Sequence, residues 1–511
     1  MIVVSNPTRR VTRFYPSQSR ITRGLSGGLL WVLSCTAVAS LPEPVLKALD
    51  RYELDADDLS LLIKPVDGGE PVIVHNAETL RNPASTMKLV TTMAALDVLK
   101  PNYQWATDFI LLGELDSTGV LHGDLAIRGG GDPYLVEESI GRLVAEMRRR
   151  GLQHITGDVL LDDSAFSLPA TDPGAFDGEP LRAYNVPPDA LLINFKVIRF
   201  FFEPDPATQR VRVTTLPELP ELQVENDLKL IRGRCRGYQK GIAVHADANA
   251  NRVRFSGTFP DGCKRYSLSR SLLTHDGYAA ALLNQVWLRH GGRLDGVIRS
   301  ANVAEDAEVW LEWDSRPLSE QIRLINKYSN NVMTRQLFLT MGAEVFGSPA
   351  SLPKARAAVG QWLSDHNLDA ERIVIDNGAG LSRDTRISAK SLAGLLELGW
   401  RSPFMPEFVA SLSLVGLDGT FRRRFRDGPL TGQAHLKTGR LDGVTAMAGF
   451  AMARDGQRYI VVSLHNAPDV HRGTGEVVQN AILQWLHRYE PASLQSADVA
   501  ASNGSDATPE G

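Results

Sequence analysis

Both ends of this 511-residue chain carry strand patterns that run into a helix, and this pairing limits the folds open to it. Near the start, Asp58 to Lys64 (DLSLLIK) reads as a strand, Asp67-Gly68-Gly69 as a turn and Pro71 to Asn76 (PVIVHN) as a second strand. Asn82-Pro83-Ala84-Ser85 then introduces a helix with Leu89, Met93, Leu96 and Leu99 at helical spacing. Near the end, Ala434 to Leu436, Val444 to Met452 and Tyr459 to His465 read as strands, and Asp455-Gly456 as a hairpin turn. Glu476 to Tyr489 follows as a helix with an apolar face, and residues 273–400 are mostly helical in pattern, as in 276–290 and 353–366. Helices lying between two groups of strands point to an α/β layered domain whose sheet is assembled from both chain ends.

Residues 101–267 read differently. Short strand-like pieces (Leu125 to Arg128, Asp158 to Leu161, Val211 to Thr215, Arg252 to Gly257) alternate with Gly, Pro and Asp, as expected of a mainly β insertion of two modules. The expected organisation is therefore a leader over 1–39, a discontinuous domain over 40–100 and 268–490, accessory domains over 101–267, and a disordered tail over 491–511, rich in Ala, Ser, Asp and Gly. With 43% hydrophobic and 22% charged residues the chain as a whole can build real cores. A net charge of −4 provides no global field for nucleic acid, and three cysteines exclude both a disulfide-dense scaffold and a zinc-ribbon array.

Residues 1–24 hold Arg9, Arg10, Arg13, Arg20 and Arg23 and no acid, and an apolar stretch, LSGGLLWVLSCTAVA, runs from Leu25 to Ala39. Ala37-Val38-Ala39 fits a small-x-small cleavage site, so the expectation is a signal peptide cut near Ala39 and a periplasmic mature protein with no membrane span. That protein keeps Cys235 and Cys263, an even count that invites one disulfide in an oxidising compartment, with two buried thiols as the alternative.

Three short motifs carry the chemistry: Ser85-Thr86-Met87-Lys88, Ser329-Asn330-Asn331 and Lys437-Thr438-Gly439. Each alone is weak, because Ser351-Leu352-Pro353-Lys354 and Ser300-Ala301-Asn302 repeat two of the patterns. Context separates them. Ser85 opens a marked apolar helix, so Lys88 lies one turn on along the same face, and the helix start supplies N–H groups and positive dipole. A serine hydroxyl needs a neighbouring base, and lysine can act as one when burial and a second cation such as Lys437 lower its pKa. In this reading Ser85, Lys88, Ser329 and Asn331 do the catalytic work. Lys437, Thr438, Gly439 and Arg440 bind substrate: Lys437 and Thr438 hold a carboxylate, and the N–H groups of Ser85 and Arg440 hold an oxyanion. No metal or cofactor is called for, and the histidines lack metalloprotease spacing. The glycines at 129–131 look like a phosphate loop but lack its flanking residues, which favours a turn. Asp162 and Asp163 fit either a β-turn or a site for the ammonium of a diamino acid.

The ordered triplet is the signature of penicillin-binding proteins and class A β-lactamases. More narrowly, the chain resembles the D-alanyl-D-alanine carboxypeptidase/endopeptidases of the penicillin-binding protein 4 type, the low-molecular-mass class C. The resemblance extends to Gly129-Gly130-Gly131-Asp132-Pro133, to Tyr184 through Leu191, to Asp376 through Arg383, and to Gly416-Leu417-Asp418-Gly419-Thr420 with Arg422 and Arg423. It covers most of residues 45–490. It implies a transpeptidase/β-lactamase-like fold with a central antiparallel sheet, a Ser85 acyl-enzyme on peptidoglycan stem peptides, and covalent inhibition by β-lactams. A peripheral association with membrane or wall would fit that role. Two departures stand out: Arg440, where the family usually has a small hydroxyl residue, and Asn377-Gly378-Ala379, where a D-G-S-type loop is common. The alternatives are a β-lactamase, disfavoured by S-N-N and the large insertion, and a non-catalytic peptidoglycan-binding scaffold, disfavoured by the intact triplet.

Overall fold

The computed structural model describes residues 40–235, 241–247 and 250–490. The expected leader, its cleavage site and the tail after Glu490 lie outside the described residues.

Alternating burial builds the central sheet. In Leu59–Pro65, Leu61 and Ile63 enter one core while Leu62 enters another, and in Arg458–Asn466 Val461 and Val462 divide in the same way. Val444–Met452 is buried along almost its whole length, so it sits mid-sheet with both faces covered. The resulting six-stranded sheet runs Ser413–Leu414, Ala434–Leu441, Val444–Met452, Arg458–Asn466, Leu59–Pro65, Ile73–His75, antiparallel throughout. The first and last parts of the chain meet at the pairing of Leu59–Pro65 with Arg458–Asn466, as the end-to-end pattern requires. One face is covered by Glu43–Arg51 and Thr474–His487 through Val45, Leu49, Ile482 and Leu486. The other carries a helical layer that includes Lys88–Val98, Leu318–Tyr328, Asn331–Phe346, Leu352–Asp365 and Ala389–Arg401. Each fully buried Leu or Ile in these layers contributes about 2 kcal/mol of apolar transfer.

The inserted part forms its own core. A seven-stranded sheet takes strands from Ala106–Leu115, Val120–Gly129, His154–Ile155, Val159–Asp162, Arg293–Leu294, Ile298–Ser300 and Leu311–Asp314. Two three-stranded sheets enclose a cluster of Phe200, Phe202, Phe255 and Phe259. Strand pairing thus continues to Asp314, and the expected edge at residue 267 falls inside this unit. Helix His275–Arg289 packs Tyr278, Leu282 and Val286 into the same core rather than into the helical layer. Periodicity shows that a helix has an apolar face; it does not name the surface that covers it. The insertion is also less purely β than expected, because Glu137–Arg149 packs there as well. A disulfide joins Cys235 and Cys263 within it.

Backbone crowding explains the three glycines. A Cβ on Gly129 would meet Ala190 O at 2.2 Å, one on Gly130 would meet Ala106 O at 2.4 Å, and Gly131 has φ +91°. Beside this turn, the buried Gln336 of helix Asn331–Phe346 donates to Asp189 O (2.7 Å) and Gly131 O (3.2 Å) and accepts from Asp189 N (3.0 Å). One side chain therefore satisfies backbone groups of the insertion from within the helical layer. We expect Gln336→Leu to lower stability by about 3 kcal/mol, because it leaves those groups buried and unpaired; an unchanged urea midpoint would contradict this.

Candidate active site

The serine turn is held before it reaches the helix. Asn82 Oδ1 accepts from Ala84 N (2.9 Å), its Nδ2 donates to Ser382 O (2.9 Å), and Asn82 exchanges bonds of 2.8 and 3.0 Å with the Asn466 side chain on the final strand. Ala84–Met87 makes a single tight helical turn, and Lys88–Val98 continues it. Ser85 is left half-buried at the start, with Lys88 completely buried one turn on.

Ser329-Asn330-Asn331 is a junction between two helices. Ser329 ends Leu318–Tyr328 in the left-handed region (φ 57°), an unusual position for a residue with a side chain. Asn330 caps the next helix by accepting from Met333 N at 3.1 Å, and Asn331 is that helix's first residue. Lys437-Thr438-Gly439 lies within Ala434–Leu441, a longer strand than the sequence pattern indicated. Strand alternation sends Leu436 into the core under the terminal helices and Lys437 toward the opposite, helical face. A Cβ on Gly439 would meet Pro83 O at 2.5 Å and Ala84 Cβ at 3.1 Å, so only glycine lets strand and serine turn approach this closely.

The three motifs meet. Lys88 Nζ lies 3.0 Å from Ser85 Oγ, 2.7 Å from Asn331 Oδ1 and 2.5 Å from Ala379 O. Lys437 Nζ donates to Ser329 Oγ (2.8 Å) and Thr438 O (2.9 Å). Burial, then the charges of Lys437 and Arg335, hold the Lys88 pKa well below that of a free lysine. Burial alone brings Lys437 down to about 7. The partners of Lys88 dictate its geometry once it is neutral. Asn331 Oδ1 and Ala379 O can only accept, so they take the two amine N–H groups and the lone pair is left facing Ser85 Oγ. Asn331 is itself oriented by donating from Nδ2 to Tyr184 O at 3.2 Å.

Arg440 alternates away from Lys437 and its guanidinium reaches Glu476 on the C-terminal helix (3.4 Å), so its side chain does not crowd the space beside Lys437. Its backbone has a different outlook. Ala434 O accepts from Val415 N on the side of the short edge strand, and backbone directions repeat every second residue. Thr438 and Arg440 therefore present their N–H groups along the edge that lies beyond Ser413–Leu414. The Asn377 loop does more than adjust local bonds, since the carbonyl of Ala379 is a Lys88 acceptor that no side-chain change there removes.

Several members of the site are not in the motifs. Arg335, one turn beyond Asn331, is half-buried, donates to Val186 O (3.2 Å) and acts on Lys88 by charge; its i+4 spacing from Asn331 was the available signal. Thr420 Oγ1 lies 3.0 Å from Thr438 Oγ1, and its loop is anchored by Lys327 Nζ to Asp418 at 2.7 Å. A cavity of about 810 Å³ adjoins the site and is lined by Asn185, Arg335, Asn377, Ser382, Asp163 and Asp189, among others. Asp163 faces this space. Asp162 turns inward instead, accepting from Ser164 N (3.0 Å) and Val303 N (3.1 Å), so it is structural. The motif look-alikes have ordinary roles: Ser351 caps a helix by accepting from Lys354 N, and Ser300 ends a strand. Asn331→Asp would set a carboxylate beside Lys88 and raise its pKa. Reaction of Ser85 with an acylating agent should then fall about 10- to 100-fold at pH 7 and recover as pH rises, which intact-mass kinetics across pH would follow.

The family model for the D-Ala-D-Ala carboxypeptidase 3 (S13) family matches residues 43–489. Among curated proteins, the chain is 24% identical over 415 residues to the D-alanyl-D-alanine carboxypeptidase DacB of Haemophilus influenzae, covering 81% of this chain and 86% of that one. It is 27% identical over 442 residues to a D-alanyl-D-alanine carboxypeptidase of Actinomadura sp., covering 83% and 78%. The crystal structure of the Haemophilus penicillin binding protein 4 superimposes with a TM-score of 0.73 at 23% identity, over 87% of this chain and 99% of that one. The same protein has been solved in complex with a β-lactam, with a TM-score of 0.69 at 22% identity over 87% of this chain and 99% of that one.

Proposed function

The chain belongs to the D-Ala-D-Ala carboxypeptidase 3 (S13) family and is a serine-type D-Ala-D-Ala carboxypeptidase, and on that premise we propose that Ser85 is its nucleophile and Lys88 its general base. The observation that carries this reading is the contact of a buried, charge-depleted Lys88 with Ser85, its other two acceptors unable to give up a proton.

The reaction then proceeds as follows. Ser85 Oγ–H passes its proton to the Lys88 lone pair as Oγ attacks the carbonyl carbon of the penultimate D-Ala of a peptidoglycan stem peptide. The oxyanion is held by the N–H groups of Ser85, at the uncapped start of its helical turn, and of Arg440. Lys437 and Thr438 hold the terminal carboxylate. Collapse of the tetrahedral intermediate breaks the peptide bond, and the departing D-Ala amine takes up the proton that Lys88 received from Ser85, relayed by the Ser329 hydroxyl that Lys437 holds in place, so that Lys88 returns to the neutral amine. Water, deprotonated by Lys88, then frees the acyl group. The cavity beside the site receives the stem peptide, with Asp163 and Asp189 giving it an acidic wall for a diamino-acid ammonium. Endopeptidase cleavage of cross-linked peptides uses the same nucleophile. The mature protein is periplasmic in this reading, with accessory modules inserted between the first two motifs.

A β-lactam is an acyl donor for the same serine, and among the described residues no carboxylate hydrogen-bonds to Ser85 or Lys88 to serve as a separate deacylating base. Brief exposure to benzylpenicillin should therefore add one drug mass to the wild type and none to Ser85→Ala. Drug consumption without a persisting adduct would indicate a β-lactamase, and an intact drug with no adduct a closed or inactive site. In the free enzyme, kcat/KM for a D-Ala-D-Ala peptide should fall as pH rises through about 7, where Lys437 loses its proton. The methyl ester of the same peptide, with no carboxylate to bind, should lack that limb.

A further inference from the structure

The insertion carries a cationic tip that the peptidase chemistry does not use. From Lys229 to Cys235 the sequence holds three cationic residues and no acid, in a chain whose net charge is −4. Strands Gln223–Ile231 and Arg252–Pro260 run parallel, with Ile231 beside Pro260, so the segments that follow them leave the sheet together. Asp261 N donates to Ile231 O (2.8 Å) and Gly262 N to Gly233 O (3.1 Å), and the Cys235–Cys263 disulfide closes the pair. This puts Arg232 and Arg234 next to Lys264, with Lys229 on the adjoining strand, all exposed.

Elsewhere on this sheet, cations are matched. Arg252 pairs with Glu225 and Asp247, and Arg254 with Asp227. At the tip Asp261 accepts from Gly233 N at 3.0 Å and Glu203 is taken up by Arg265, while Lys229, Arg232, Arg234 and Lys264 have no ion-pair partner among the described residues. Apolar surface adjoins them. Ile231 is 42% exposed.

We infer that this tip docks on a bilayer surface rich in anionic phospholipid. Unpaired cations around an exposed isoleucine match the headgroup boundary, which offers anionic charge above an apolar layer; a soluble polyanion would make no use of the isoleucine. The disulfide holds the two cationic segments together, so few chain conformations are lost on contact. The inference is independent of the roles assigned to the catalytic motifs.

The test uses the chain from Ser40 onward, which contains every described residue and omits the stretch read from the sequence as a leader. Co-sedimentation is measured with vesicles of 30% phosphatidylglycerol in phosphatidylcholine, with pure phosphatidylcholine, and at low and high salt. The wild type should bind the anionic vesicles at low salt, release at high salt, and ignore the neutral ones. Each cation near an anionic surface gives about a fivefold gain in partition, so Arg232→Gln/Arg234→Gln/Lys264→Gln should bind about a hundredfold more weakly. Penicillin acylation should be unchanged in that variant and reports that it is folded. Arg149→Gln/Arg150→Gln/Arg293→Gln removes the same charge from exposed, ion-paired sites and should bind like the wild type. Equal loss in both variants, equal binding to neutral vesicles, or binding to polyphosphate but not to vesicles would each overturn the inference.

Discussion

Two lysines are buried side by side in this site with no carboxylate among the described residues to neutralise either, and much of the surrounding structure can be read as what that requires. An unpaired buried ammonium is costly, so the group sheds its proton more readily than in water. The fold does not remove the penalty by adding an acid. It surrounds Lys88 with a carbonyl and an amide oxygen, which stabilise an amine in one orientation without restoring its usual basicity. An acid in place of either oxygen would hold Lys88 in its charged form. The helical layer is thus the place where stability is given up for reactivity, and the apolar faces above and below the sheet offset that cost.

Much of the scaffold was legible because period-two burial in the sheet and period-three-to-four burial in the helix after Ser85 are both written into the residues. That the three motifs come together was legible because their residue types and order stand in the sequence. What the sequence could not convey falls into two kinds. The first is backbone: the Ala379 carbonyl that orients Lys88, and the open edge to which Arg440 turns its N–H, depend on where a loop or strand runs rather than on which residue sits there. The second is choice of partner. Helix His275–Arg289 has an apolar stripe that would have suited either core, and only the packing of Tyr278 and Leu282 decides between them.

Arg440 shows both kinds together. It stands where the family usually has a small hydroxyl residue, yet strand alternation places the side chain against Glu476 while the backbone keeps its orientation. A bulky residue is tolerated there because a strand separates what a residue's side chain does from what its amide does. The same logic excludes any side chain one position earlier, at Gly439, where the strand presses on the serine turn.

The sheet that unites the first and last strands also has a consequence in time. Ser85 and Lys88 leave the ribosome early, and Lys437 follows only after the entire insertion has been made. Until Ala434–Leu441 pairs beside Val444–Met452 and the final strand closes on Leu59–Pro65, the hydroxyl and the amine have neither a second cation nor a substrate-binding edge. If Ser85 and Lys88 act as proposed, a nascent or truncated chain is chemically silent, and hydrolytic capacity arrives in a single event with the completion of the fold.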